Sequence, residues 1–360
     1  VNATMPIPIK RYKGMKKIFI GIDFSKEKFD ATVIKAEGVE ERAERQHEVF
    51  DNKVSGFRRL LRWVKAVADE QDTGLWLFCG ENTGGYSKAL CNYLYGSGYD
   101  MWLENALSIK RSSALQRTKS DKADAGIIAE YAMRNYDQMR LYKPLSKNLE
   151  RLREVFLYRH NLVKLKASMM VRKGEKKLTQ DKSDISRFMS MSSKHLISEF
   201  NKKIAECDKR IDDIICEDEE LLRNFEIITS VPGMGRQNAV CLMVYTDNFG
   251  RFDFDSRKIA CYYGVAPFGR QSGTSVNTPP HVSPFANKLI KALLTQAALA
   301  SINFCAQMAV YYHRLVEAGK KKPVAINNVK NKLLHVITAM VRKGEKYDPD
   351  YDYHAAINAA

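Results

Sequence analysis

Residues 119–125 read Lys-Ser-Asp-Lys-Ala-Asp-Ala and open a helical pattern continued by Ile128, Ala129 and Ala132. Ser120 or Asp121 suits the N-cap, so Asp121 and Asp124, three residues apart, project from nearly one side of that helix. Two carboxylates held side by side repel. A divalent cation between them removes the conflict, and Mg²⁺ in particular takes oxygen ligands from one or two carboxylates together with phosphate and water. A cap and a favourable charge at the positive helix end would explain the same pair. The choice between these readings lies upstream.

Ile18, Phe19, Ile20 and Ile22 form a short apolar run that ends in Gly21-Ile22-Asp23, the pattern of a buried central strand with a carboxylate at its end. Residues 30–35 and 47–50 supply two more strands. Phe57, Leu60, Leu61 and Val64 then recur at helical spacing, and residues 75–79 make a second apolar strand running into Gly80-Glu81. A helix over residues 86–95, a strand over 101–103 and the Asp121/Asp124 helix complete the order β-β-β-α-β-α-β-α. In open sheets of this kind ligands gather at strand ends. If the strands of Asp23 and Glu81 are neighbours, Asp23, Glu81, Asp121 and Asp124 meet around one or two Mg²⁺ ions, the layout that orients a phosphodiester and activates its attacking oxygen. Taken singly, Asp23 fits a turn before Phe24-Ser25, and Glu81 fits an acceptor for backbone N–H groups of residues 82–85.

The 360 residues carry 58 Lys and Arg against 42 Asp and Glu, a formal charge of +16. Such an excess favours a polyanionic partner, because each phosphate neutralised releases a counterion. No secretory signal or lipidation motif argues for a membrane. The most apolar long window, residues 293–312, is interrupted by Thr295, Gln296, Ser301, Asn303 and Gln307 and reads as a buried core helix. Seven cysteines without a CxxC pair indicate a reduced, cytoplasmic protein without structural zinc. The histidines show no ligand spacing, so any metal is expected to be oxygen-bound. Residues 1–14 carry prolines and no period, as an added remnant or a loose basic arm does.

Four segments follow: 1–14 as an extension, 15–145 as the α/β domain, 146–225 as a helical hairpin, and 226–360 as a mainly helical C-terminal domain. In the hairpin, Leu149, Leu152, Phe156, Leu162 or Val163, and Met169 mark an outgoing helix with basic outer faces, ended by Lys173-Gly174. The heptapeptide Met-Val-Arg-Lys-Gly-Glu-Lys of that ending recurs at residues 340–346. Polar residues 180–193 suggest a loop at the tip. Ile197, Phe200, Ile204, Cys207, Ile211, Ile214, Leu221 and Phe225 return with coiled-coil spacing, only Asp218 being out of place. Such a seam pairs within one chain or between two.

In the last segment, residues 230–235, Ser-Val-Pro-Gly-Met-Gly, resemble a helix-hairpin-helix turn, in which Gly233 and Gly235 let backbone N–H groups approach a phosphate. A plain interhelical turn fits as well. Asp255-Ser256 caps a short helix ended by Gly264. Ser272 falls in a basic loop between Gly269 and Gly273, beside Arg270, and by itself reads as a Ser-Gly turn. Ser283-Pro284 would start the next helix, which carries Lys288 and Lys291 near its beginning.

The stretches Gly-Ile-Asp-Phe-Ser-Lys-Glu-Lys-Phe-Asp at 21–30, Glu-Asn-Thr-Gly-Gly-Tyr at 81–86 and Lys-Ser-Asp-Lys-Ala-Asp-Ala at 119–125 resemble the N-terminal domain of the insertion-sequence one-ten family of transposases, relatives of the pilin-gene invertases. Residues 231–349, with Gly-Val-Ala-Pro and Gln-Ser-Gly, resemble its C-terminal domain. Two departures stand out: Asn82 where Ala or Pro is expected, and Val-Ser-Pro-Phe-Ala-Asn at 282–287 where the family tends to a basic stretch. The resemblance implies a RuvC-like ribonuclease H fold with an Asp-Glu-Asp-Asp metal site for Mg²⁺ at Asp23, Glu81, Asp121 and Asp124. It assigns Ser272 as a nucleophile forming a phosphoserine link to DNA. It further implies guidance by a structured bridge RNA, DNA donor and target as substrates, and a dimer or tetramer in which the hairpin pairs protomers and holds RNA. Two rivals remain: a RuvC-type endonuclease or junction resolvase acting through water, and a catalytically silent nucleic-acid-binding scaffold.

Overall fold

A computed structural model describes residues 17–35, 45–68, 72–112, 121–178, 183–272, 276–282 and 286–350. The proposed arm at 1–14, Ser120, Gly273, Ser283 and Pro284 lie outside the described residues. The chain divides into two compact units, Val1–Pro144 and Leu145–Ala360.

The first unit holds β1 (Ile18–Phe24), β2 (Lys28–Lys35), β3 (Arg45–Asp51), α1 (Val54–Ala68), β4 (Trp76–Glu81), α2 (Gly85–Gly96), β5 (Met101–Glu104), α3 (Ala106–Ser112) and α4 (Asp121–Asn135). The order matches the hydrophobic pattern, with α3 as an added element. The strands form one sheet in the order β3-β2-β1-β4-β5. The first three are antiparallel neighbours, and β4 and β5 run parallel to β1. Alternation along β1 sorts its side chains: Ile18, Ile20 and Ile22 enter a core shared with α1 and α2, whereas Phe19 enters a second core with Leu77, Cys79, Trp102, Ile128 and Ala132 under α4. The sheet is therefore covered on both faces, as its near-continuous apolar strands require.

The second unit opens with two long helices, α5 (Lys147–Leu178) and α6 (Asp184–Cys216). They run antiparallel: Arg151 meets Glu217 at 2.5 Å, and Arg159 grips Asp208 with two bonds of 2.8 and 3.1 Å. Helix α5 continues through Gly174, so Lys173-Gly174 does not end it, and residues 184–193 belong to α6, with Ser183 as N-cap, instead of a loop. Leu162 faces inward and Val163 outward. The heptad pattern spans a break, because Asp218, the residue out of place, is the N-cap of α7 (Glu219–Ser230) and accepts the Leu221 N–H at 3.1 Å.

Then follow α8 (Arg236–Thr246), α9 (Ser256–Tyr262), the hairpin β6 (Pro267–Ser272) and β7 (Val276–Val282), α10 (Lys288–Phe304), α11 (Ala306–Glu317) and α12 (Lys322–Lys343). Asp255 caps α9 as its sequence implied. The window 293–312 is not one core helix: it bends by 100° at Cys305, which separates α10 from α11. The cap of α10 is Asn287, whose Oδ1 accepts the Leu289 N–H at 2.9 Å. No single helix among the described residues is long and apolar enough to cross a membrane. Leu149, Leu152, Phe156, Ile211 and Ile214 share one core with α7 to α12, so the base of the hairpin and the C-terminal helices fold together. All seven cysteines are free thiols.

Candidate active site

Register brings the first two acids together. Strands β1 and β4 pair in parallel with Ile22 beside Gly80, so Asp23 and Glu81 occupy the next positions on adjacent strands, at their C-terminal ends. Asp23 shares the parity of Phe19 and Glu81 that of Leu77 and Cys79, which places both on the α4 face. Helix α4 runs antiparallel to β1 above them. The ring of Tyr136, just past its end, meets Phe19 at 6.0 Å, while a Cβ at Gly21 would collide with the Ala125 carbonyl and the Ala129 amide. Only glycine allows that approach. Going from Tyr136 through Ala129 to Ala125, the helix advances toward Asp23, so its N-terminal turn, with Asp121 and Asp124, lies at the strand ends carrying Asp23 and Glu81.

Asp23, Glu81 and Asp124 are half-buried. Among the described residues neither the Glu81 nor the Asp124 side chain has a hydrogen-bond or ion-pair partner. Partly buried carboxylates left open in this way are poised for a cation or a donor. The donor set is all oxygen, which suits Mg²⁺ or Mn²⁺ over zinc or copper. No three potential ligands among the described residues already stand in chelating positions; the Asp121 side chain is not among those described.

The surroundings contain residues that sequence reasoning missed. Asp30 on β2 is the register partner of Asp23; it is 6% exposed, and its Oδ1 is 2.9 Å from His47 Nε2. Glu104 on β5 is the register partner of Glu81. A row of four acids thus crosses β2, β1, β4 and β5. Asn52 donates to the carbonyls of Ser25 and Tyr86, each at 3.0 Å, and so ties the turn after Asp23 to the helix start after Glu81. Asp30 and Glu104 could have been suspected from their place in strands; Asn52 offered no signal. After Glu81, the Thr83 N–H donates to the Glu81 backbone carbonyl and the Gly84 N–H to Asn82 Oδ1 at 3.3 Å. Asn82 therefore braces the turn, and the Glu81 carboxylate is not used in it.

In the second unit Ser272 ends β6 opposite Val276, so it closes a β-hairpin and does not lie in an open loop. Arg270, two residues back on the same strand, pairs with Thr278. The Asn327 side chain donates to the Val265 carbonyl at 2.8 Å and fixes the entry to that hairpin. Gly233 has φ +92°, and a side chain there would strike Ser301 and the Ala297 carbonyl of α10. Its task is close packing, sealed by the Ser301 hydroxyl donating to the Pro232 carbonyl at 2.7 Å. The Cβ direction at Gly235, the N-cap of α8, is open. Arg236 beside it is engaged by Asp212 at 2.6 Å and by the Asp208 carbonyl. Lys288 and Lys291 lie in the first turn of α10, and the half-buried Lys330 of α12 donates to Thr295 at 3.2 Å. Burial, and then the Lys291 charge, push the Lys330 amine down.

The geometry gives a first unit of α/β type with Asp23 and Glu81 side by side at the ends of its central strands. Two family models match the chain: DEDD_Tnp_IS110, described as transposase, over residues 20–180, and the transposase IS116/IS110/IS902 family over residues 225–313. The pilin gene-inverting protein of Moraxella bovis is 26% identical over 337 residues, covering 93% of this chain and 98% of that protein. An uncharacterized 43.6 kDa protein of insertion element IS110 from Streptomyces coelicolor is 30% identical over 122 residues, 34% of this chain and 30% of its own. A solved RuvC structure from Thermus thermophilus aligns with 35% of this chain and 99% of its own at 14% identity, with a TM-score of 0.26. The chain belongs to the IS110 family of transposases.

Proposed function

We propose that this protein is an RNA-guided DNA recombinase that moves an insertion sequence, with a RuvC-like first domain. Asp23, Glu81, Asp121 and Asp124 would hold Mg²⁺, which when bound supplies charge neutralisation at the phosphodiester. Ser272 Oγ would attack a backbone phosphorus and give up its proton as the bond from phosphorus to the deoxyribose oxygen breaks, and that departing oxygen takes up a proton in turn. The phosphoserine bond keeps the energy of the broken linkage, so a deoxyribose hydroxyl of another strand can displace the serine and rejoin the DNA. Arg270, Lys288, Lys291 and the open backbone at Gly235 contact nucleic acid; the packing of Gly233 supports the turn from behind. The protein works in the cytoplasm as a dimer or tetramer with a structured bridge RNA, and the coiled-coil hairpin serves pairing and RNA contact.

The observation that supports this reading is the β1/β4 register, which sets Asp23 beside Glu81 under the helix whose first turn carries Asp124; the Glu81 and Asp124 side chains have no partner among the described residues. The test is adduct trapping: the full chain, with its cognate RNA and DNA and Mg²⁺, should yield a covalent protein–DNA species. Ser272→Ala should abolish the adduct and the cleavage together. Cleavage that survives in Ser272→Ala but is lost in Asp23→Asn would instead establish hydrolysis by water. Absence of any cleavage by the intact complex would favour a binding scaffold.

A further inference from the structure

The ladder between β1 and β4 ends at Ile22 and Gly80, one residue short of Asp23 and Glu81. Past that point Asp23 pairs with Asp30 of β2, and Glu81 with Glu104 of β5. Adjacent strands are rotated by about 20–25° against each other, so ends that share no ladder diverge. Asn52, at the corner between β3 and α1, spans this gap. Its backbone N–H donates to the Glu27 carbonyl at 2.8 Å, and its Nδ2 donates to the carbonyls of Ser25 and Tyr86, each at 3.0 Å. Ser25 and Glu27 belong to the turn that follows Asp23, whereas Tyr86 lies in the first turn of α2, which follows Glu81. Two carbonyl acceptors settle which end of the amide is the nitrogen, since an oxygen could not donate to them. Both sides of the link are braced. The Lys53 N–H donates to the Asp51 carbonyl at 2.8 Å and closes the corner; the Ser25 N–H and hydroxyl both donate to the Lys28 carbonyl, at 2.9 and 2.7 Å, and close the turn. On the opposite face the Phe24 ring lies so close over Gly80 that a Cβ there would stand 2.5 Å from it, but an apolar contact fixes no direction.

We propose that Asn52 is a positioning residue for the metal site: its amide sets the spacing of Asp23 and Glu81 where the sheet no longer does. The residue is neutral and acts through the two chain segments it joins, so its effect is one of geometry and not of charge. Carboxylates that can splay still offer their charge to a cation, but no longer at a fixed separation. Mg²⁺ demands near-ideal octahedral distances, whereas Ca²⁺ accepts a larger and more flexible shell, so loss of the latch should cost Mg²⁺ more than Ca²⁺. This inference rests on the carboxylate reading above.

The experiment uses the full chain with Mn²⁺ as the probe. Electron paramagnetic resonance of free Mn²⁺ gives its affinity, displacement by Mg²⁺ or Ca²⁺ gives theirs, and thermal melts without metal fix a temperature at which every variant is folded. Asn52→Ala removes both side-chain bonds, and Asn52→Leu removes them at nearly the same volume. Each should weaken Mg²⁺ binding by about 10–100-fold, the usual effect of losing an outer-shell partner, while Ca²⁺ binding falls by about threefold or less. Wild-type Mg²⁺ affinity in both variants would overturn the positioning role and leave the site standing. Equal losses for the two ions would also overturn it, because a site that is merely destabilised loses both alike. If the wild type does not bind Mn²⁺, or Asp23→Asn binds it as well as the wild type, the carboxylate site itself fails and the role of Asn52 falls with it.

Discussion

Gly21 shows how one residue joins fold and site. Its sequence neighbours mark it as part of a buried strand, yet what demands glycine there is the backbone of α4, whose Ala125 carbonyl and Ala129 amide occupy the space of a side chain. Backbone atoms cannot rotate aside, so Gly21→Ala must lift the helix that bears Asp121 and Asp124. Overpacking of this kind costs about 1–3 kcal/mol. The expected result is a lower denaturation midpoint together with weakened Mn²⁺ binding; an unchanged midpoint would mean that α4 does not rest on β1 as described. At the same scale Asp23 and Glu81 were legible because each ends an apolar run. Asp30 and Glu104 were open to suspicion from their place in strands, but only strand pairing reveals that they flank those ends, and Asn52 gave no signal.

Among elements, periodicity was a good guide where one face is buried and a poor one at the ends. The order of strands and helices up to α4, apart from the short α3, follows directly from apolar runs and helical spacing, because a sheet covered on both faces leaves little freedom. The hairpin departs from the reading for a physical reason. The heptapeptide Met-Val-Arg-Lys-Gly-Glu-Lys ends α12 at Gly344, in the left-handed region at φ +78°, but the same run at residues 170–176 continues inside α5. A C-terminal glycine permits a stop without enforcing one, and the neighbouring helix α6 gives α5 a partner to continue against. Alanine at the two sites should therefore act in opposite directions. Gly174→Ala should stabilise the chain by about 0.5–1 kcal/mol, whereas Gly344→Ala should destabilise it by about 1 kcal/mol or more. Chemical denaturation of the two variants checks this, and equal signs would contradict the assignment of helix ends. The break at Asp218 was visible as the one residue that violated the heptad, although its role as a cap was not.

For the whole molecule, the charge of +16 signals a polyanionic partner, but it says nothing about where the partner lies. In the second unit Arg159, Arg236 and Arg151 are engaged by Asp208, Asp212 and Glu217, and Lys330 of α12 donates to Thr295 of α10. Arginines at the hairpin base thus hold helices together. The far end of α6 carries Ile185, Phe188 and Met191, each at least 70% exposed, which the pairing role proposed for the hairpin would cover. That role, the RNA and the serine chemistry all depend on whether the first unit is a metal-dependent centre. The most direct measurement is a crystal of the full chain soaked in Mn²⁺ and examined by anomalous diffraction. The account predicts a peak about 2.0–2.3 Å from carboxylate oxygens of Asp23 and Glu81, with Asp121 or Asp124 completing the site. Full Mn²⁺-dependent cleavage by a protein whose anomalous peaks all lie away from these acids would contradict it.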